Sequence, residues 1–172
     1  MKNFCIVLVF LSIIMVTVAV YLNAPKPSYE YLRIHVRANS NSEKDQSVKM
    51  EIKDLLVDYL TPYIAKCDNK SEAIVTLNAQ KPNLERLIDA YLLKNGFNYT
   101  SCVEIDNEEF PLRVYEGVTL EEGFYDAVIV NLGKAEGDNW WCVVYPPLCF
   151  YGEETDIKYK SKLKEIIDAF FS

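Results

Sequence analysis

The chain has 172 residues, of which half are hydrophobic and a quarter charged, and its formal net charge is −7. This length and hydrophobic content predict a single folded domain and argue against global disorder. Lys and Arg are scattered among the acidic residues. Nucleic acid is therefore a poor partner, because a phosphate backbone binds clustered positive charge.

An uncharged apolar run occupies residues 4–22, with Lys2 before it. Such a run spans a bilayer and also fits a secretory signal, whereas a buried core helix would normally show a polar face. We therefore expect residues 1–24 to be a signal peptide or a membrane anchor. Residues 25–28 form a Pro-rich linker, and residues 29–172 one extracytoplasmic domain. Cleavage stays open, because Thr17-Val18-Ala19 offers small residues whereas Ala24 is followed by Pro25.

The first predicted element of the domain is a strand with one buried face, from Tyr29 to Val36, where polar and apolar residues alternate. A turn follows, and Ser42 with Asp45 three residues later resembles a capping box at the start of a helix. Apolar residues then repeat every three or four positions. We expect this helix to kink or end near Leu60, because Pro62 would clash with the preceding turn.

The remaining elements follow from periodicity and from Gly and Pro positions. Two further helices are predicted at 71–79 and from Pro82 to Gly96. The period then changes to two, which predicts strands at 99–105, 110–115, 124–132 and 140–145, with a closing helix at 156–171. Helices grouped before strands indicate an α+β fold with a mostly antiparallel sheet.

Sequence motifs of catalysis and metal binding are missing. His35 is the single histidine, and neither Cys-x-x-Cys nor Gly-x-Ser-x-Gly occurs. We therefore expect no metal, no cofactor and no enzymatic activity. The alternative is an extracytoplasmic cysteine-dependent enzyme in which His35 activates a thiol. The more ordinary interpretation places His35 on the polar or half-buried face of its strand, hydrogen-bonded to a nearby Asn or Asp.

Two loop motifs have ordinary explanations. The Glu108-Glu109 and Glu121-Glu122 pairs are interpreted as solvated loop residues. Gly133 and Gly137 resemble a phosphate-binding loop only superficially, because no Gly-Lys-Ser/Thr follows and the next segment is a predicted strand. A hairpin turn accounts for them.

Four cysteines lie outside the apolar run and allow three pairings. Cys142 with Cys149 is the local choice, since an exported protein can keep disulfides. Reduced thiols packed in a core are the alternative. For Cys67 and Cys102 we expect buried free thiols in preference to a bridge.

The segment from Gly137 to Phe150 holds both tryptophans and the Pro146-Pro147 pair. It is interpreted as a rigid surface element closed by the cysteines. Trp140 and Trp141 are adjacent on a strand, so their side chains point to opposite faces. Either both pack internally, or one is presented to a partner.

Three blocks of this sequence resemble the stage II sporulation protein R family. A front block runs from Arg33 to Gln46, a rear block from Asn139 to Phe150, and a third stretch includes Val118-Thr119-Leu120, Gly123 and Tyr125. The resemblance covers roughly residues 29–151. Ala135 stands where the family commonly has glycine, Arg37 where it is often apolar, and residues from Asp156 onward match no family block.

The resemblance implies an exported forespore signalling protein, secreted or membrane-anchored, in the space between forespore and mother cell. It would activate a membrane-embedded mother-cell protease by protein–protein contact, and that protease would process a sporulation sigma-factor precursor. Residues 4–22 would contact the membrane if uncleaved. A structural envelope protein without a signalling role is a further alternative. We expect the contact to use the first strand and the Trp-Pro segment, through Arg33, His35, Arg37, Asn39, Trp140, Trp141, Pro146 and Pro147.

Overall fold

The computed structural model describes residues 10, 11, 13–17, 30–115, 118–150 and 157–172, the side chains of 150, 157–159 and 161 excepted. The expected signal or anchor therefore lies largely outside the described residues. Residues 10, 11 and 13–17 are helical and exposed. Of the helices in the described part of the chain, none is long and apolar enough to cross a membrane.

The domain consists of six strands and three longer helices in the described residues. In chain order these are β1 (Leu32–Arg37), α1 (Glu43–Ile64), α2 (Lys70–Lys94), β2 (Ser101–Phe110), β3 (Arg113–Tyr115), β4 (Val118–Leu120), β5 (Gly123–Leu132), β6 (Asn139–Tyr145) and α3 (Ile157–Phe171), with a 3₁₀ turn at Leu148–Phe150 before α3.

Four strands form the main sheet in the order β2-β5-β1-β6, and β3 pairs with β4 in a separate two-stranded sheet. β1 runs parallel to β5, whereas β6 is antiparallel to β1 and β2 is antiparallel to β5. The α+β class is confirmed, but the mostly antiparallel sheet was wrong, because the central pair is parallel and the sheet is mixed. A period of two places side chains on faces and carries no information about strand direction.

The connection from β5 to β6 is not a hairpin, contrary to the prediction for Gly133 and Gly137. β1 lies between these two strands in the sheet. Residues 133–138, here called the straddling loop, therefore pass over the end of β1. The local sequence indicates a turn at this point. However, β1 lies between β5 and β6, the two strands that the turn was expected to join as a hairpin.

Two prolines lie inside longer helices: Pro62, expected to kink or end its helix, and Pro82, expected to begin a new one. α1 continues through Pro62 to Ile64, and α2 is one helix through Pro82 where two were predicted. A proline inside a helix costs about 3 kcal/mol. Burying Leu60 and Ile64 on either side of Pro62 contributes about 1.5–3 kcal/mol for each side chain, which offsets that cost.

The main core lies between the helices and one face of the sheet. Its members come from the even-numbered positions of β1, from the inner stripes of α1 and α2, and from β2, β5, β6 and α3. A smaller cluster lies on the opposite face, with Phe110, Tyr125, Ala127 and Ile129 at its centre. β1 is thus buried on both faces, and the prediction of one buried face was wrong because β1 is a central strand.

Candidate partner-binding face

The front and rear blocks of the sequence meet as neighbouring strands. In the antiparallel pairing of β1 with β6, Ile34 lies opposite Cys142, His35 opposite Trp141, and Arg37 opposite Asn139. Residues from the two ends of the domain therefore form one continuous strip of sheet. The sequence indicated two separate blocks, and the fold combines them.

Three of the four arginines of the chain lie on the sheet face that points away from α1 and α2. Of the four arginines, Arg33 and Arg37 lie on this face of β1, and Arg113 reaches it from β3. His35 lies between the two β1 arginines, and its imidazole lies beside the Trp141 ring. We call this surface the arginine face and define it by Arg33, His35, Arg37, Arg113 and Trp141. Arginine and tryptophan are the residue types enriched at binding hot spots.

Arg33 is fully buried, with 0% of its surface exposed. Its Cζ lies 4.2 Å from the ring centroid of Phe110 and 4.8 Å from that of Tyr125. Its Nη2 donates a hydrogen bond to the Tyr115 hydroxyl over 2.8 Å, whereas Nε and Nη1 have no hydrogen-bond partner among the described residues. Burial lowers the pKa of Arg33, and the charge of Arg113 acts in the same direction.

The energetic balance at Arg33 is unfavourable without an anion. A desolvated cation–π contact contributes about 2 kcal/mol. Burying an unpaired charge costs several kcal/mol, and each unsatisfied buried donor adds about 1–3 kcal/mol. The aromatic rings therefore compensate the buried guanidinium only in part.

His35 is also buried, with 5% of its surface exposed. Its Nδ1 lies 2.8 Å from Glu108 Oε2. Burial lowers the pKa of His35 to about 4, and the charges of Arg37 and Arg33 act in the same direction. The ring is thus neutral at physiological pH. Because a carboxylate only accepts, Nδ1 carries the proton, and Nε2 is left as an acceptor with no hydrogen-bond partner among the described residues.

The remaining members of the arginine face are partly accessible. Arg37 forms an ion pair with Glu108 and donates to the Asn131 side chain over 3.2 Å, and 29% of its side chain is exposed. The Arg113 guanidinium stacks on Trp141, with Cζ 4.4 Å from the ring centroid. The accessible part of the arginine face thus consists of Arg37, Arg113 and Trp141, whereas Arg33 and His35 are buried.

Burial separates the predicted contact residues into two groups. Arg33, His35, Pro146 and Pro147 are buried, so the expectation that they form an exposed contact surface was wrong. β1 is covered on both faces, and the Pro-Pro pair is packed inside the domain. Partly accessible are Arg37, Asn39, Trp140 and Trp141. Partner binding by any of these residues stays a prediction.

The two tryptophans point to opposite faces, as adjacent strand residues must. Trp140 packs against the main core, whereas Trp141 packs against the smaller cluster on the other face. Trp141 is therefore the tryptophan that belongs to the arginine face.

Asp45 is the centre of a polar network in the front block. Its carboxylate accepts hydrogen bonds from Ser40 Oγ at 2.5 Å, Asn39 Nδ2 at 2.9 Å and Tyr99 Oη at 2.6 Å. Ser42 caps α1 by accepting from the Asp45 backbone N–H, which confirms the Ser42 half of the predicted capping box. The Asp45 half is wrong, because the Ser42 N–H donates to Ser40 Oγ instead. Burial raises the pKa of Asp45, but the hydrogen bonds from the surrounding side chains outweigh it and lower the pKa below its ordinary value.

The same network fixes the straddling loop over the end of β1. The Gly137 N–H donates to Ala38 O over 2.9 Å, and the Lys134 N–H donates to Asn39 Oδ1 over 2.9 Å. The buried Lys49 ammonium donates to Asp138 O over 2.9 Å. Both hydrogen-bonding ends of the Asn39 amide are thus used inside the chain, which gives this residue a structural role in the block.

Cys142 and Cys149 form the predicted disulfide, with their Cα atoms 6.2 Å apart. It ties β6 to the 3₁₀ turn and encloses Pro146, which follows a cis peptide bond. Cys67 and Cys102 are free; Cys67 is buried as expected, whereas Cys102 is exposed. Desolvation raises the pKa of both thiols, and nearby carboxylates act in the same direction.

Sequence reasoning missed Glu108, Arg113 and Tyr115 as members of this region. Glu108 was interpreted as a solvated loop residue, but it lies on β2 and pairs with His35 and Arg37. The signal that existed was the alternation of charged residues from Glu104 to Glu108, which indicates a strand that continues to Phe110.

These observations define the class of protein: an α+β domain with a mixed sheet whose helix-free face carries arginine and aromatic side chains. Among the described residues, no group of three or more His, Cys, Asp or Glu is placed to hold a metal ion. The chain belongs to the stage II sporulation protein R family, whose model matches residues 28–155. The match ends just before α3, as the resemblance suggested.

Two curated relatives match as well. The chain is 32% identical to "Stage II sporulation protein R" of Bacillus subtilis over 119 residues, which are 69% of this chain and 53% of that protein. It is 35% identical over 83 residues, 48% of this chain, to a "3-dehydroquinate synthase" of Clostridium beijerinckii, but covers only 22% of that protein. The chain thus spans about half the length of the first relative. No solved structure matches the chain.

Proposed function

We propose that this chain is a sporulation signal: an exported forespore protein that contacts and activates a membrane-embedded protease of the mother cell. The protease would then process a sporulation sigma-factor precursor. The observation that carries the proposal is the family match over residues 28–155, which includes both the front and the rear block. The pairing of these blocks as β1 and β6 supports it, because one contiguous region then holds the residues that carry the resemblance.

We further propose that the accessible part of the arginine face makes the contact. Arg37, Arg113 and Trp141 are supported by strands and by stacking, which lowers the entropy that binding must remove. Leu112 and Val114, which flank Arg113, are 47% and 63% exposed. Together they offer charged, aromatic and apolar contacts, the usual composition of an interface hot spot.

The rival function, a cysteine-dependent enzyme, has less support. Cys142 and Cys149 are joined to each other, and raised pKa values keep the Cys67 and Cys102 thiols protonated at neutral pH. A thiol nucleophile needs the opposite shift. The dehydroquinate synthase match gives no support to an enzyme either, since it leaves most of that protein uncovered.

The test is reconstitution in a non-sporulating bacterium that expresses the protease and the sigma-factor precursor, with this chain exported or absent. We expect precursor processing only when the chain is present. Arg113→Gln should lower processing at least about fivefold, which corresponds to the loss of one contact worth about 1 kcal/mol. Arg86→Gln is the matched control, since Arg86 lies on α2, and it should process like the unmodified chain.

Two results would count against these proposals separately. Precursor processing that does not depend on the chain contradicts the signalling role and favours a structural envelope protein. Dependence on the chain with normal processing by a folded Arg113→Gln variant places the contact surface elsewhere. Export is tested by N-terminal sequencing of the chain recovered outside the cytoplasm, which also shows whether residues 1–24 are removed.

A further inference from the structure

We infer that the buried guanidinium of Arg33 is a receptor for one carboxylate of the partner protein, which reaches it beneath the β3–β4 hairpin. This inference rests on the proposed function, because it specifies the chemistry of the partner at the same face. The partner segment would present an Asp or Glu side chain next to an apolar side chain.

The first observation is the unused hydrogen-bonding capacity of Arg33. The side chain is fully buried, its only hydrogen bond among the described residues goes to Tyr115, and two of its nitrogens are without a partner. Glu108, a carboxylate on this face, pairs with Arg37 and His35 and not with Arg33. Among the described residues, no carboxylate forms an ion pair with Arg33, whose buried guanidinium lies against the rings of Phe110 and Tyr125.

The second observation concerns the element that covers the Arg33 guanidinium. Tyr115 belongs to the β3–β4 hairpin, whose strands have three residues each and form no ladder with the main sheet. Such short hairpins are marginally stable on their own, so little backbone structure opposes their displacement. The contacts that hold it here include the Tyr115–Arg33 hydrogen bond and the stacking of Arg113 on Trp141.

The third observation identifies the kind of ligand. Arg33 carries one positive charge inside rings of Phe110, Tyr115 and Tyr125, which suits a single planar anion better than a dianionic phosphate. Leu112 and Val114 are exposed on the same hairpin and can hold an apolar neighbour of the acidic residue.

The test is NMR titration of the full chain with the dipeptide N-acetyl-Leu-Asp-amide, with N-acetyl-Leu-Asn-amide as the neutral isostere. The readouts are the Nε–H signal of Arg33 and the indole N–H signal of Trp141, with the Nε–H of the exposed Arg86 as internal control. We expect the Asp peptide to shift the Arg33 and Trp141 signals in a saturable manner, while the Asn peptide binds at least tenfold more weakly and Arg86 is unaffected. Sodium acetate should shift Arg33 more weakly than the Asp peptide.

Two variants make the test specific without removing the buried charge. Tyr115→Phe frees the Nη2 donor of Arg33 and should tighten binding of the Asp peptide several-fold. Leu112→Ser removes an exposed apolar contact and should weaken binding of the Asp peptide but leave the acetate shift unchanged.

An Arg33 signal that the Asp peptide does not shift, or that both peptides shift equally, overturns the inference. Because the titration does not involve the protease, the two proposals fail separately. Binding of the Asp peptide without any effect of the chain on precursor processing refutes the signalling role. Normal processing without binding of the peptide refutes only the carboxylate receptor.

Discussion

His35 and Trp141 lie directly opposite each other across β1 and β6, with their ring centroids 5.4 Å apart. Directly opposed residues are the closest side-chain neighbours in a sheet. This contact joins the front block of the sequence to the rear block. Replacing either ring therefore alters the packing of the other, and the shape of the arginine face depends on both blocks together.

Replacing His35 with Gln should flatten the pH dependence of stability between pH 6.5 and 4. Burial lowers the pKa of His35 from 6.5 to about 4, so the unfolded chain binds a proton in this range that the folded chain does not. The neutral His35 ring contributes fully to the free energy of unfolding above pH 6.5. As the pH falls, this contribution is lost by up to about 1.4 kcal/mol per pH unit. Urea unfolding of both proteins at several pH values measures the difference in slope. Equal slopes would show that the imidazole titrates normally in the folded protein.

Replacing Asp45 with Asn should cost about 2–3 kcal/mol of unfolding free energy, because hydrogen bonds to a charged group are lost. Side-chain hydrogen bonds lower the pKa of Asp45 although burial opposes them. The stabilisation is therefore present above pH 4 and lost as the pH falls below it. Asp54→Asn is the control, since Asp54 is an exposed acidic residue of α1 and should change stability by less than about 0.5 kcal/mol. A difference below 1 kcal/mol between the two variants would contradict this role of Asp45.

Two reverse substitutions in the straddling loop, Ala135→Gly and Gly133→Ala, should change the stability of the protein in opposite directions. Ala135 has φ 55°, a conformation that favours glycine, so Ala135→Gly should stabilise the protein by about 0.5–1 kcal/mol. Gly133 has φ 56°, and a Cβ there would lie 2.3 Å from Asn39 Oδ1, so Gly133→Ala should cost about 1–3 kcal/mol. Thermal unfolding of both variants tests the pair. Destabilisation by Ala135→Gly would show that this φ value does not limit stability.

Removing the disulfide by Cys142→Ser with Cys149→Ser should cost about 2–3 kcal/mol, because the bridge closes a short loop in the unfolded chain. Denaturant unfolding of the double variant against the oxidised protein measures this. The matching control replaces the exposed free Cys102 with Ser and should be close to neutral. If the double variant were equally stable, the bridge would contribute nothing to folding.

The sequence by itself determined several local features of this protein. Ser42 marked the start of α1, because a side-chain oxygen at that position satisfies a free backbone N–H. The spacing of Cys142 and Cys149 around two prolines indicated the bridge, and the adjacency of Trp140 and Trp141 placed them on opposite faces. The family resemblance also rested on sequence alone. These features depend on neighbours within a few residues along the chain.

Only the tertiary structure decided the environment of Arg33 and His35. Both belong to an alternating strand and were expected at a surface, but β1 lies between β5 and β6, and the aromatic residues of β2, β5 and the β3–β4 hairpin bury them. The sequence likewise did not predict the parallel direction of β1 and β5 or the path of the straddling loop. In each case the deciding contact joins residues far apart in the chain, and a periodic pattern reports which side of a strand is apolar but not which segment will cover the other side.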